Sequence, residues 1–146
     1  MLRNIDPVLS PELLKILRAM GHGDEIVIAD ANFPAESTAR ASGAACVRAD
    51  GSDASEMLRA ILSVLPLDNF VPDPALSMQV VGNPDEVPAA VADYQTIIND
   101  VADHPAQIQS LERFAFYDRA AQAYAVVQTG ERRLYGNIIL KKGVIG

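Results

Sequence analysis

Cysteine is nearly missing from this chain, with Cys46 alone among 146 residues. An intrachain disulfide is therefore excluded, and the apolar neighbours in Gly43-Ala44-Ala45-Cys46-Val47 predict a buried thiol. Histidine is scarce too: His22 and His104 are the only two, and His104 sits in a His-Pro turn. No His/Cys cluster with metal-ligand spacing exists, so no metal is expected. There is no GxGxxG after a strand, no Walker lysine loop and no nucleophile elbow. Basic charge is also short, 12 Lys and Arg against 19 Asp and Glu, for a net charge of −7. A phosphate backbone or an anionic membrane needs a basic face, so neither is an expected partner. No apolar run approaches the ~20 residues of a membrane span, and no cationic segment followed by an apolar stretch opens the chain. These features predict a cytoplasmic protein.

What is present is a folded-protein composition, 49% hydrophobic, in a length that suits one domain over residues 1–146. Ser10-Pro11-Glu12 is a helix start, and Leu13, Ile16, Leu17 and Met20 follow with the spacing of one helix face before Gly21 ends it. Glu25 to Ala29 then reads as a buried strand, and Asn32-Phe33-Pro34 as a loop. Further along, the sequence predicts strands over 45–49, 76–81, 108–111, 124–129 and 138–141. Helices are predicted from Asp53 through Leu65, over 85–101 and over 113–122. Pro66 through Pro74 reads as a loop. Alternating strands and helices imply an α/β layered domain with a mainly parallel sheet flanked by helices. The last two strands read as a hairpin-like pair adding an antiparallel edge.

Three stretches carry groups suited to chemistry. The first is Gly21-His22-Gly23-Asp24 with Asp30 at the far end of the following strand. Histidine exchanges protons near neutral pH, and a carboxylate holds a hydroxyl. In open α/β sheets ligands sit beyond the carboxyl ends of strands, where Asp30 falls. His22 lies at the opposite end, so a site using both would be shared between subunits. The plainer reading makes His22 and Asp24 exposed turn residues. The second stretch is Arg113-Phe114-Ala115-Phe116-Tyr117-Asp118-Arg119, read as a helix whose phenylalanines enter the core, with Arg113 and Tyr117 offering hydrogen bonds to a polyol. The third is Thr129 to Asn137, where Gly136 permits close backbone approach between Tyr135 and Asn137, though a plain turn has the same spacing.

Together these stretches resemble the L-fucose mutarotase and D-ribose pyranase family. The resemblance rests on Ser10-Pro11-Glu12-Leu13-Leu14, Met20 to Glu25, Asp30-Ala31, Phe33-Pro34, Arg48 to Gly51, Arg113 to Tyr117, Thr129 to Arg132, Tyr135 to Ile138 and Leu140 to Val144. Phe33-Pro34 and the Arg113 run point to the fucose branch. Asn32 departs from it, standing where that branch often carries histidine. The resemblance implies cofactor-free interconversion of the anomers of a free monosaccharide by an α/β subunit assembled into a homo-oligomeric ring, commonly a decamer. It assigns proton donation to His22 and sugar contact to Asp30, Arg113, Tyr135, Gly136 and Asn137, with Tyr117 near the site. The alternatives are a non-catalytic sugar-binding or transport-accessory protein, a pyranase acting on ribose or another monosaccharide, and a scaffold ring without ligand.

Overall fold

Ser10 starts the first helix as its position predicts. In the computed structural model, which describes residues 1–146, its hydroxyl accepts the Leu13 N–H at 3.2 Å and caps α1 (Pro11–Ala19). Leu13, Ile16 and Leu17 turn inward from that helix. The chain continues through β1 (Glu25–Ala29), α2 (Ala35–Ser42), β2 (Ala45–Ala49), α3 (Ala54–Leu62) and β3 (Ala75–Met78). It ends with α4 (Ala89–Val101), β4 (Gln109–Leu111), α5 (Arg113–Ala120), β5 (Ala125–Thr129) and β6 (Ile138–Lys141). Asp53 caps α3 through the Glu56 N–H at 2.8 Å, and Glu112 caps α5 by accepting from Phe114 and Ala115.

The six strands form one sheet in the order β2-β5-β1-β6-β3-β4. Every residue of β1 is buried because both faces of the sheet are covered, which is why Ile26 to Ala29 are apolar without alternation, while Glu25 at the strand's start pairs with Arg119 and Lys141. Ile26 and Ile28 point to one side, into a core of 26 residues shared with α1, α3 and α4. Val27 and Ala29 point to the other, into a core of 12 residues shared with α2 and α5. The result is a mixed α/β sandwich with helices on both faces. No helix is long and apolar enough to cross a membrane.

Several expectations change. β6 is not an edge and does not pair with β5. It lies between β1 and β3, antiparallel to both, so the sheet is parallel only at β1–β5, β2–β5 and β3–β4. The segment 130–137 is too long and too firmly anchored for a tight hairpin; it crosses the end of β1 and delivers β6 to that strand's other side. α2 was not anticipated, because it turns only two small residues, Ala35 and Ala39, into the core and so has no strong apolar stripe. α4 starts at Ala89 rather than 85, since Pro88 takes the position before its first turn. α3 ends at Leu62, three residues short of Leu65. β3 ends at Met78, short of Val81, where Val80 bridges Asn83 across a turn. Phe116 is fully buried, but Phe114 is 66% exposed rather than in the core. Cys46 is half-buried, and burial pushes its thiol pKa up.

Candidate functional site

The crossing of 130–137 over β1 builds a pocket at that strand's carboxyl end. Backbone and side-chain bonds fix the loop together. Ala31 donates to the Glu131 carbonyl at 2.8 Å, and Gly130 donates to the Ser52 carbonyl at 2.8 Å. The buried Glu131 carboxylate takes the Arg133 guanidinium on both oxygens, at 3.0 and 2.9 Å, which holds its pKa down. The Tyr94 hydroxyl, fully buried, donates to the Gly136 carbonyl at 3.0 Å, and burial pushes that phenol's pKa up. A Cβ at Gly136 would stand 2.8 Å from Glu131 Cγ and 3.0 Å from the Arg133 carbonyl, so only glycine fits. Tyr135 just before it holds a left-handed backbone, φ +58°, rare for a residue with a side chain.

At the base of the pocket Asp30 and Asn137 form a reciprocal pair. Asp30 N–H donates to Asn137 Oδ1 at 2.8 Å, and Asn137 Nδ2 donates to Asp30 Oδ2 at 2.9 Å. The other carboxylate oxygen accepts the Asn32 N–H at 2.9 Å, while Gln128 Nε2 donates to the Asp30 carbonyl. Burial raises the Asp30 pKa, and the Asn32 and Asn137 donors partly offset it. The pocket, about 170 Å³, is lined by Asp30, Asn32, Phe33, Met78, Tyr117, Leu134, Tyr135 and Asn137. Phe33 and Tyr117 stack at 5.4 Å, and the Arg113 guanidinium stands 5.8 Å from the Tyr117 ring centre. The wall thus combines aromatic surface with a buried carboxylate, an amide and a nearby cation, a set that suits a polyhydroxylated ring. A larger hollow of about 490 Å³ lies between α4 and β3–β4, but its only carboxylates, Asp85 and Glu86, are exposed rim groups.

Five of the residues singled out in the sequence therefore gather at one end of β1: Asp30, Tyr117, Tyr135 and Asn137 in the wall, and Gly136 in the loop behind it. Arg113 stands on the exposed rim through its contact with Tyr117. His22 is elsewhere. It sits on the turn between α1 and β1, and five residues of strand at roughly 3.3 Å each separate that turn from Asp30. Asp24 serves the turn itself, accepting the Gly21 N–H at 2.7 Å.

His22 has its own partner, which sequence reasoning missed. Its Nε2 lies 3.3 Å from Oδ1 of Asp68, whose side chain is only 2% exposed. The same oxygen accepts the Phe70 N–H at 3.1 Å, and the Phe70 ring meets the imidazole edge-on at 5.4 Å. Asp68 hides in the proline-bounded stretch 66–74. The one signal there was an acid directly after the apolar run Leu65-Pro66-Leu67.

The model of the RbsD / FucU transport protein family matches residues 3–145. The chain belongs to this family. Within the RbsD / FucU family it is 49% identical over 147 residues to the fucose mutarotase of Mus musculus, covering 99% of this chain and 95% of the mouse protein. It is 46% identical to the L-fucose mutarotase of Actinobacillus pleuropneumoniae serotype 5b, covering 99% and 97% of the two chains. Its fold matches the crystal structure of the Streptococcus pneumoniae fucose mutarotase in complex with L-fucose with a TM-score of 0.89, at 44% identity and 99% and 100% coverage.

Proposed function

We propose that this protein is a mutarotase that interconverts the α and β anomers of a free aldose, L-fucose first, by general acid–base catalysis. The observation that carries the reading is the pairing of Asp30 with Asn137 in a pocket walled by Tyr117 and Tyr135, in a chain so close in sequence to fucose mutarotases. In this reading Asp30, Asn137, Tyr135 and Arg113 bind the sugar hydroxyls, the Gly136 backbone shapes the floor, and Tyr117 supplies an aromatic face. His22 is the proton donor. With Nε2 committed to Asp68, Nδ1 is the ring nitrogen left to exchange a proton with substrate.

Mutarotation needs a proton delivered to the ring oxygen and one removed from the anomeric hydroxyl. The bond between the anomeric carbon and the ring oxygen breaks, the aldehyde rotates, and the ring closes on its other face. The reaction runs slowly in water unaided, and positioned acid–base groups add typically about 10²–10⁴-fold.

Within one chain His22 and the Asp30 pocket sit at opposite ends of β1, so the proposed catalyst is a homo-oligomeric ring, with a decamer the leading form, in which His22 of one subunit faces the pocket of the next. The exposed Leu134 and Phe114 beside the pocket, 69% and 66% exposed, and Phe70 beside His22, 68% exposed, supply apolar surface at both ends. The protein works on free sugar in the cytoplasm. The same separation favours a second reading, a sugar-binding protein that uses the Asp30 pocket alone.

Saturation-transfer NMR on L-fucose decides between the two. Faster exchange between anomers with enzyme added, unaffected by chelator, supports the mutarotase. Binding without exchange leaves the second reading, and a monomer by light scattering that stays active removes the shared site.

A further inference from the structure

His22 is flanked on both sides by backbone groups that end on one residue, Lys142. Before it, the Lys142 ammonium donates to the carbonyls of Leu17 and Met20, at 2.8 and 2.6 Å. These are unpaired carbonyls at the C-terminal end of α1, where a cation is favoured. After it, Gly23 N–H donates to the Lys142 carbonyl at 2.9 Å, and Lys142 N–H donates to the Asp24 carbonyl at 2.8 Å. The next residues of the same strand exit reach the other half of the pair. Asp68 N–H donates to the Lys141 carbonyl at 3.1 Å, and Gly143 N–H donates to the Pro66 carbonyl at 2.8 Å.

We infer that Lys142 is the positioning residue of the His22–Asp68 pair: its ammonium locks the exit of α1 so that the imidazole meets Asp68 in a single orientation. The inference rests on His22 being the proton donor. The turn needs such a lock because Gly21 and Gly23 bracket the histidine, and Gly23 takes a left-handed conformation, φ +85°. Apart from the His22 contacts with Asp68 and Phe70 and the Met20 N–H on the Ile16 carbonyl that closes α1, the ties at that turn are the Asp24 side chain on Gly21 and the Asp24 N–H to the Gly21 carbonyl, both internal to it. Only Lys142 links the turn to α1 and to β6 at once. The Lys142 site is costly, since burial and nearby Arg18 lower the ammonium's pKa, so the charge sits there against its own preference.

The experiment compares Lys142→Met, Lys142→Arg and His22→Ala in anomer exchange across a fucose concentration series, with ring-nitrogen spectra of labelled histidine. The chain has two histidines, so the His22 signals are identified by their loss in His22→Ala. A catalytic group displaced by about 1 Å loses up to ~10²-fold in rate, so Lys142→Met should lower kcat about ten- to hundredfold. KM should stay within about twofold, because the sugar contacts lie at the far end of β1. The His22 signals should pass from one tautomer to a mixture. A hollow of about 370 Å³ beside Lys142 gives a guanidinium room, so Lys142→Arg should recover most of the lost rate.

Unchanged kcat and ring signals in Lys142→Met overturn the inference, as does a rise in KM that matches the fall in kcat. If Lys142→Met does not fold, nitrogen-labelled lysine in the unmodified protein provides the test. A slowly exchanging ammonium coupled to the Leu17 and Met20 carbonyls supports the lock, and a freely exchanging one overturns it. Full exchange activity in His22→Ala would instead remove the proton-donor reading, while the histidine spectra would still show whether Lys142 orients the ring.

Discussion

Replacing Asn137 with alanine is the sharpest test of how the pocket is built. The substitution removes two bonds at once, the 2.8 Å acceptor for the Asp30 N–H and the 2.9 Å donor to Asp30 Oδ2. Both residues are buried, 5% and 3% exposed. An orphaned buried N–H costs about 1–3 kcal/mol, and a hydrogen bond to a charged group is worth about 1.5–3 kcal/mol. The vacated space opens on the pocket, so water re-solvates part of what is lost, and the net destabilisation should settle at about 2–3 kcal/mol. The loss should also depend on pH, with a definite sign. Asp30 already has a folded-state pKa above its unfolded value, mainly from burial, and Asn137 is one of the donors holding it down. Without that donor the folded pKa rises further. A raised folded pKa contributes stability that is fully present below the unfolded pKa, near 3.8, and is lost as pH rises through the folded value. The variant gains more of this term on acidification, so its deficit should narrow from neutral pH towards acid. Urea unfolding of both proteins at matched concentration, at neutral and acidic pH, measures it. A deficit under about 0.5 kcal/mol at neutral pH, within the range of ordinary surface substitutions, would refute the reasoning. So would a deficit that widens in acid.

Three further outcomes are expected. His22→Ala should abolish most anomer exchange and leave sugar affinity intact by calorimetry, while His104→Ala should change neither. Asp30→Ala should weaken sugar binding by roughly ten- to 150-fold, the equivalent of losing a charge-assisted hydrogen bond, and Arg113→Ala should act in the same direction; calorimetry on intact oligomer tests both. Gly136→Ala should cost about 1–3 kcal/mol by overpacking against Glu131 and Arg133, read as a lower urea midpoint.

The parts of the fold that were legible in the sequence are those decided locally. Ser10-Pro11-Glu12 fixes the start of α1 through groups within three residues of one another, and the unbroken apolar run of β1 follows from a sheet covered on both faces. The position of β6 was not legible. Its short separation from β5 favours a hairpin, and only the ties of 130–137 to Ala31, Ser52 and Tyr94 carry it across β1. The site divides in the same way. Asp30 could be placed at a strand's carboxyl end from the pattern alone, and the glycines around His22 marked a turn. The bond between Asp30 and Asn137 joins residues 107 apart, and that between His22 and Asp68 joins residues 46 apart. No local spacing encodes either. α2 escaped because alanine at Ala35 and Ala39 gives close helix–sheet packing without the bulk that makes a stripe visible.

The central place of β6 has a consequence for the order of assembly. Without residues 138–141 the strands fall into two separate groups, β2-β5-β1 and β3-β4, with no ladder between them. Each presents an unpaired inner edge, and Ile138, Ile139 and Leu140 have no buried place to go. The last strand is thus a keystone that converts two half-sheets into one. Asn137 enters the Asp30 pocket immediately before it, and Lys142 reaches the His22 turn immediately after it. Both ends of β1 therefore take their final form only with β6 in place. A chain that emerges in sequence order can close the Asp30 pocket and the His22 turn only after β6 has been made.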